Sequence, residues 1–219
     1  MKIDIITLFP KLFESVFSES LIARAQKQKI AAITIHNLRD WSTDKHKTVD
    51  EKPYGGGPGM VFKIESLVKA ISSLKLKSKK TKIILFSASG KQFDSKMAGN
   101  FAKKYDHIVM IAGHYEGVDE RIKKVIRNLK LEISELSIGP YVLTGGELSA
   151  MIVVDAVSRH ILGVLGKDES LEEKRYGVGV PMYTRPEVFK FKNKKYSVPK
   201  ILLSGDHKEI EKWRKKHQK

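Results

Sequence analysis

Apolar residues recur along the chain in two rhythms, one running through short blocks and one at helical spacing. Lys2 to Leu8 is apolar at most positions, as a buried parallel strand is, and Pro10 stands where a helix would begin. Leu12, Phe13, Val16 and Phe17 repeat at helical spacing, and Leu21, Ile22 and Ala25 continue the stripe. Ile33 to Leu38 predicts a second strand, and Ile64 to Leu74 a helix. Three strand-like runs follow, at Lys82 to Ser87, His107 to Ala112 and Leu131 to Leu136. Helices are predicted between them over Asp94 to Lys104 and Val118 to Leu129. A further amphipathic helix, Glu147 to His160, would carry Met151, Val154 and Ile161 on one side. This alternation predicts an α/β fold with a mostly parallel sheet. Ligands in such sheets bind beyond the carboxyl ends of the strands. Ser87 to Gly90, Gly113 to Gly117 and Ile138 to Gly146 all fall there.

Three stretches lack either rhythm. Arg39 to Pro58 is long and polar, ends in Gly55-Gly-Gly-Pro-Gly59 and has little apolar content to hold it down; such loops are usually functional or disordered. Leu165 to Tyr183 is charged, then glycine-rich, and reads as a mobile linker. The tail beyond it predicts a small, mainly helical module, with Asp206 as an N-cap and Ile210 with Trp213 as its apolar stripe. The expected division is a main domain over 1–163, a linker over 164–183 and a C-terminal module over 184–219.

Charge narrows the choice of partner. Forty-one Lys and Arg against 25 Asp and Glu leave a formal charge of +16, concentrated toward the end of the chain. Such a field attracts a polyanion and gives association that weakens with salt, although a lysine-rich solvated surface would look the same. The absence of cysteine excludes disulfides, thiolate zinc sites and a cysteine nucleophile. No run approaches the ~20 apolar residues of a membrane span. The opening run is too short for a signal peptide and contains Asp4. A soluble, cytoplasmic protein is expected.

Two glycine-studded blocks carry the candidate chemistry, Gly113-His-Tyr-Glu-Gly117 and Ser137-Ile-Gly-Pro-Tyr-Val-Leu-Thr-Gly-Gly-Glu147. Together they describe a pocket for a small polar ligand. Neither has the spacing of a dinucleotide or triphosphate loop. In Thr43 to Asp50, Asp50 could accept hydrogen bonds from a guanine edge and Lys45 and Lys47 could meet phosphates; an ordinary flexible loop is the alternative. Arg159 is either a surface residue or turned inward to hold an anion. His36 and His107 read as structural. No metal-ligand spacing or nucleophile elbow occurs.

Several strings, taken in order, resemble one family. They are Thr48 to Met60, Gly113 to Arg121, Ser137 to Leu148, Val157-Ser-Arg159 with Gly163 to Gly166, Tyr183 to Glu187 and Leu202 to His207. The chain is similar along its whole length to the bacterial tRNA (guanine-N1)-methyltransferases, the TrmD family of the SPOUT class. That resemblance implies a trefoil-knotted domain, a small C-terminal helical domain, and a homodimer with its active site between subunits. It also implies S-adenosylmethionine as methyl donor and N1 of the guanosine immediately 3′ of the tRNA anticodon as target. Magnesium is retained as a further candidate cofactor.

By the same resemblance, the donor pocket would be lined by Leu85, Phe86, Ser87, Ala88, Gly113, Tyr115, Glu116, Gly117, Ile138, Gly139, Tyr141, Val142, Leu143, Gly145 and Gly146. The tRNA would be held by His46, Asp50, Gly59 and Arg185, with Arg159 near the reacting base. The general base of the family is a linker Asp; here Lys174 aligns with it, and the adjacent Glu173 is the better candidate. His114 stands where an arginine is common. Two other readings are a knotted tRNA-binding protein of weak or no activity and a SPOUT enzyme with another RNA target.

Overall fold

Strand β1 (Lys2–Thr7) is buried at every position after the first, which marks a central strand covered on both faces. In the computed structural model, which describes residues 1–76, 79–165, 171 and 179–218, the chain divides into two units, Met1–Leu165 and Gly166–Lys219.

In the first unit, β1 pairs in parallel with β2 (Ala32–Asn37) and β6 (His107–Ile111). Strand β5 (Thr81–Gln92) pairs in parallel with β6 and with β7 (Glu132–Ser137). The five-stranded order is β2-β1-β6-β5-β7. A separate two-stranded ladder joins β3 (Asp50–Glu51) and β4 (Val61–Phe62). Alternate side chains feed two cores, one on each face of the sheet. Ile3, Ile5, Ile84 and Met110 pack with α1 (Glu14–Phe17), α4 (Ser95–Lys104) and α6 (Glu147–Ser158). Ile6, Ile83, Leu85, Val109 and Ile111 pack with α3 (Ile64–Ser73) and α5 (Arg121–Asn128). The remaining helix, α2 (Ser20–Lys27), follows a 3₁₀ turn at Pro10–Phe13 and α1.

Several boundaries differ from the sequence expectation for identifiable reasons. Strand β5 runs on to Gln92 because it pairs with β7 on both sides of an irregularity between Phe86 and Lys91; Ser87 to Gly90 bulge out of the ladder. Helix α5 starts at Arg121 and not at Val118, since Asp119 accepts the Arg121 amide at 2.9 Å and forks its guanidinium. Helix α6 is not amphipathic, because its open side is apolar too: Ala150, Met151, Val153, Val154, Val157 and Ser158 are buried, with about 2 kcal/mol for each buried Val, while Leu148 and Ile152 stand exposed. The polar stretch after Arg39 is tethered by fully buried Leu38 and Val49.

Strand β1 also carries a buried carboxylate. Asp4 meets His36 Nε2 at 2.7 Å, His107 Nε2 at 2.5 Å and Lys2 Nζ at 3.0 Å. Burial opposes its charge, but the hydrogen bonds from His107, His36 and Lys2 prevail and hold the carboxyl well below the usual range.

The second unit corrects the expectation of a mainly helical tail. It contains an antiparallel hairpin, β8 (Val188–Phe191) with β9 (Lys194–Ser197), then a 3₁₀ turn at Lys200–Leu203 and α7 (His207–Lys216). The alternation Val188-Phe-Lys-Phe191 and the two-residue turn Lys192-Asn193, with Lys192 at φ +51°, are hairpin signals. Asp206 caps α7, accepting the Lys208 and Glu209 amides.

Candidate active site

The carboxyl ends of β5, β6 and β7 open onto one cavity of about 250 Å³. Its wall contains Leu85 to Ala88 from β5 and its bulge, Gly113 and Tyr115 to Gly117 after β6, and Ile138, Tyr141 to Leu143, Gly145 and Gly146 after β7. Of the residues expected at a donor pocket, Gly139 alone is not on the wall. It lies under Tyr141, whose ring a Cβ on Gly139 would meet at 2.3 Å. Ser137 shapes this turn by donating Oγ to the Gly139 carbonyl at 2.8 Å.

The cavity has an unusual charge for so basic a chain. Glu116, Glu120 and Glu135 line it, and among the described residues no Lys, Arg or His does. Lys123 bridges Glu120 and Glu135 at 2.6 and 2.8 Å, while Glu116 has no ion-pair partner among the described residues. Such a wall repels phosphate and favours a ligand carrying positive charge.

The glycine-rich loop is strapped to this cavity. Glu116 donates its amide to the Met60 carbonyl at 3.0 Å, Phe62 to Gly117 at 3.0 Å, and Asp119 to Phe62 at 3.1 Å. Gly59, at φ +84°, lies so close to Glu116 that a Cβ would be 2.6 Å from Oε1. Asp50 stands opposite Phe62 in the β3–β4 ladder. His46 is exposed on the preceding turn, which Asp44 closes by accepting the Thr48 amide at 3.0 Å; that bond lowers the Asp44 pKa.

Arg159 is not on the wall of this cavity. Arg159 follows the last residue of α6, the end away from Gly146, and a 12-residue helix spans ~18 Å at 1.5 Å per residue. Arg185 belongs to the second unit, beside a cavity of about 720 Å³ walled by Tyr183, Leu202 and Ile210. Glu173 and Lys174 lie outside the described residues. Among the described residues no group of three or more His, Cys, Asp or Glu is arranged to hold a metal ion, and no helix is long and apolar enough to cross a membrane.

Residues 1–219 match the family described as tRNA (Guanine-1)-methyltransferase TrmD. The chain belongs to the TrmD family. It is 46% identical over 221 residues to the tRNA (guanine-N(1)-)-methyltransferase of Citrifermentans bemidjiense, covering 100% of this chain and 85% of that protein. Like-named proteins of Dictyoglomus turgidum and Carboxydothermus hydrogenoformans are 47% and 44% identical, over 99% of this chain and 84% and 82% of theirs.

Sequence reasoning about this TrmD-family chain missed Glu120, Glu135 and Ser149 on the wall, and the role of Glu147. Glu120 and Glu135 carried no signal, since a glutamate near a helix start or in an edge strand is ordinary surface chemistry. Glu147 did carry one: a carboxylate beside Gly145-Gly146 and opening a helix whose next residues are nearly all apolar.

Proposed function

We propose that this TrmD-family enzyme, which methylates N1 of guanine in tRNA, acts on the guanosine immediately 3′ of the anticodon and holds S-adenosylmethionine in the three-carboxylate cavity. The acidic wall carries this reading. When bound, S-adenosylmethionine supplies a methyl group on a cationic sulfur, and Glu116, Glu120 and Glu135 favour that charge. Small residues at 113, 117, 145 and 146 let the ligand approach the backbone closely. The straps from Met60 and Phe62 to residues 116–119 set the glycine loop beside the donor. Asp50 and His46, at the start of that segment, then hold the target guanine and its backbone, and Arg185 contacts tRNA elsewhere.

Guanine N1 carries a proton at neutral pH, so its lone pair becomes available only as a base removes that proton or a cation steadies the charge developing on O6. Glu173 takes the base's role and Arg159 the cation's. Lys174 could serve as base only with its own pKa lowered by desolvation. Alignment of guanine and methyl supplies much of the rate.

The distance of Arg159 from the cavity along α6 supports a homodimer, in which each centre is completed by the Arg159 of a second copy. Exposed Leu148 and Ile152 on α6, with Leu12 and Val16 near α1, offer an apolar face for that seam. A trefoil knot belongs to the same reading, and the segments supporting it are those after β6 and β7, joined where Gly146 donates to the Gly113 carbonyl at 2.7 Å. The work is placed in the cytoplasm, where tRNA is.

Labelled donor should transfer methyl to a tRNA transcript bearing guanosine 3′ of the anticodon and not to one carrying adenosine there. Transfer indifferent to that guanosine would defeat the positional claim. Glu173→Ala should abolish most turnover with donor affinity intact.

A further inference from the structure

Glu147 opens α6 with 3% of its surface exposed, and the methyl transfer described above makes no use of it. A carboxylate is costly to bury unless it is paired. Its Oε1 accepts Thr7 Oγ1 at 2.8 Å, and its Oε2 faces His114 Nδ1 at 3.4 Å. Thr7 Oγ1 accepts the Phe9 amide in turn, at 2.9 Å. These groups come from the end of β1, the loop after β6 and the start of α6.

His114 is fixed on its other sides. Its ring packs on Phe9 with centroids 4.8 Å apart and edge-on against Tyr115 at 4.7 Å. Tyr115 is on the cavity wall and is held at φ +55°, a conformation its bulk disfavours unless the surroundings impose it. Gly145 pairs with His114 in an isolated antiparallel bridge. A Cβ on Gly145 would lie 2.3 Å from both Glu147 Oε2 and His114 Nδ1. Only a glycine lets the two groups approach across that turn.

We infer that Glu147 and His114 form a clamp that sets the two donor-facing loops, 113–117 and 137–146, against each other, and that both are positioning residues for the methyl donor. With its proton on Nδ1, His114 donates to Glu147, so the position of Tyr115 and of Gly145 and Gly146 depends on one buried carboxylate. The inference rests on reading the cavity as the donor site. Because the loops bind the donor and do no chemistry, loosening them raises the donor's Kd and KM and leaves kcat nearly unchanged.

The test compares the full chain with His114→Ala, His114→Asn, Glu147→Gln and the His114→Ala/Glu147→Gln double variant. Readouts are S-adenosylmethionine affinity by calorimetry, steady-state kinetics with tRNA, and hydrogen exchange over residues 139–146. His114→Ala and Glu147→Gln should each weaken donor binding about tenfold, the value of one charge-assisted hydrogen bond, with kcat within about threefold. The double variant should be no weaker than the worse single. His114→Asn, whose side-chain amide can occupy the Nδ1 position, should recover most of the affinity, and His114→Ala should speed exchange in 139–146. Additive losses, a fall in kcat at constant KM, or exchange and affinity both unchanged in His114→Ala would overturn the clamp. If the unaltered protein binds no donor while exchange still quickens in His114→Ala, the clamp stands and the donor reading falls.

Discussion

The Glu116 side chain lies over the bare α-carbon of Gly59: a Cβ there would meet Oε1 at 2.6 Å and Cγ at 2.7 Å. Two segments more than fifty positions apart in the chain are thereby held in contact by the absence of a side chain. Gly59→Ala adds that methyl and also forces alanine to φ +84°, costing about 1–3 kcal/mol of strain. We expect kcat/KM for tRNA methylation to fall at least about tenfold. Steady-state assays would check this, and an alanine variant of undiminished kcat/KM would refute the contact's importance.

Asp4 should govern the acid limit of the first unit. Its carboxyl is held below the ordinary range by His107, His36 and Lys2 against the cost of burial. A depressed carboxyl contributes stability that is complete above its unfolded pKa, about 4, and is lost as pH falls through the lower folded value. Asp4→Asn should therefore lose about 3 kcal/mol at pH 7, and the gap to the unaltered protein should narrow only below about pH 4. Thermal melts across pH 2–7 would measure both.

Glu132 plays a smaller part at the sheet edge. Lys82, with the larger influence, and Tyr105 and Lys104 lower its carboxyl to about 2. Lys82 Nζ lies 2.9 Å from Oε1, with the lysine side chain 4% and the glutamate 45% exposed. Allowing for screening at that exposed carboxylate, Glu132→Gln should cost about 1 kcal/mol. The loss should be full above about pH 4.3 and vanish only below about pH 2, where Glu132 is protonated and as neutral as the glutamine that replaces it. Chemical denaturation at about pH 7 and about pH 1.5 separates the two limits.

Lys194 and Lys195 sit on the exposed β8–β9 hairpin. If tRNA phosphates lie against it, Lys194→Gln with Lys195→Gln should weaken tRNA binding at every sequence and lower the slope of log K against log salt by about 2. Donor affinity should not change. Filter binding over a salt series would show this, and an unaltered slope would remove the hairpin from the RNA-contacting surface.

The parallel sheet was legible because β1, β5 and β6 are covered on both faces and so read as nearly continuous apolar runs. The hairpin was not, because Phe189, Phe191 and Tyr196 are exposed and their alternation with lysine was outweighed by helix-forming residues nearby. The glycine blocks named most of the cavity wall, since close backbone approach demands small residues at fixed places. What they could not name were Glu120 and Glu135, which arrive from a helix start and an edge strand, and Thr7, whose partner Glu147 is 140 positions away. Long-range pairing leaves no local period.

The span of α6 between Gly146 and Arg159 has a genetic corollary. In the proposed dimer a centre combines the cavity of one copy with the arginine of the other, so two dead proteins can repair each other. Arg159→Ala mixed and refolded in equal amounts with a cavity-blocked Gly146→Val chain should pair at random, leave one sound centre in each hybrid, and restore about a quarter of native turnover.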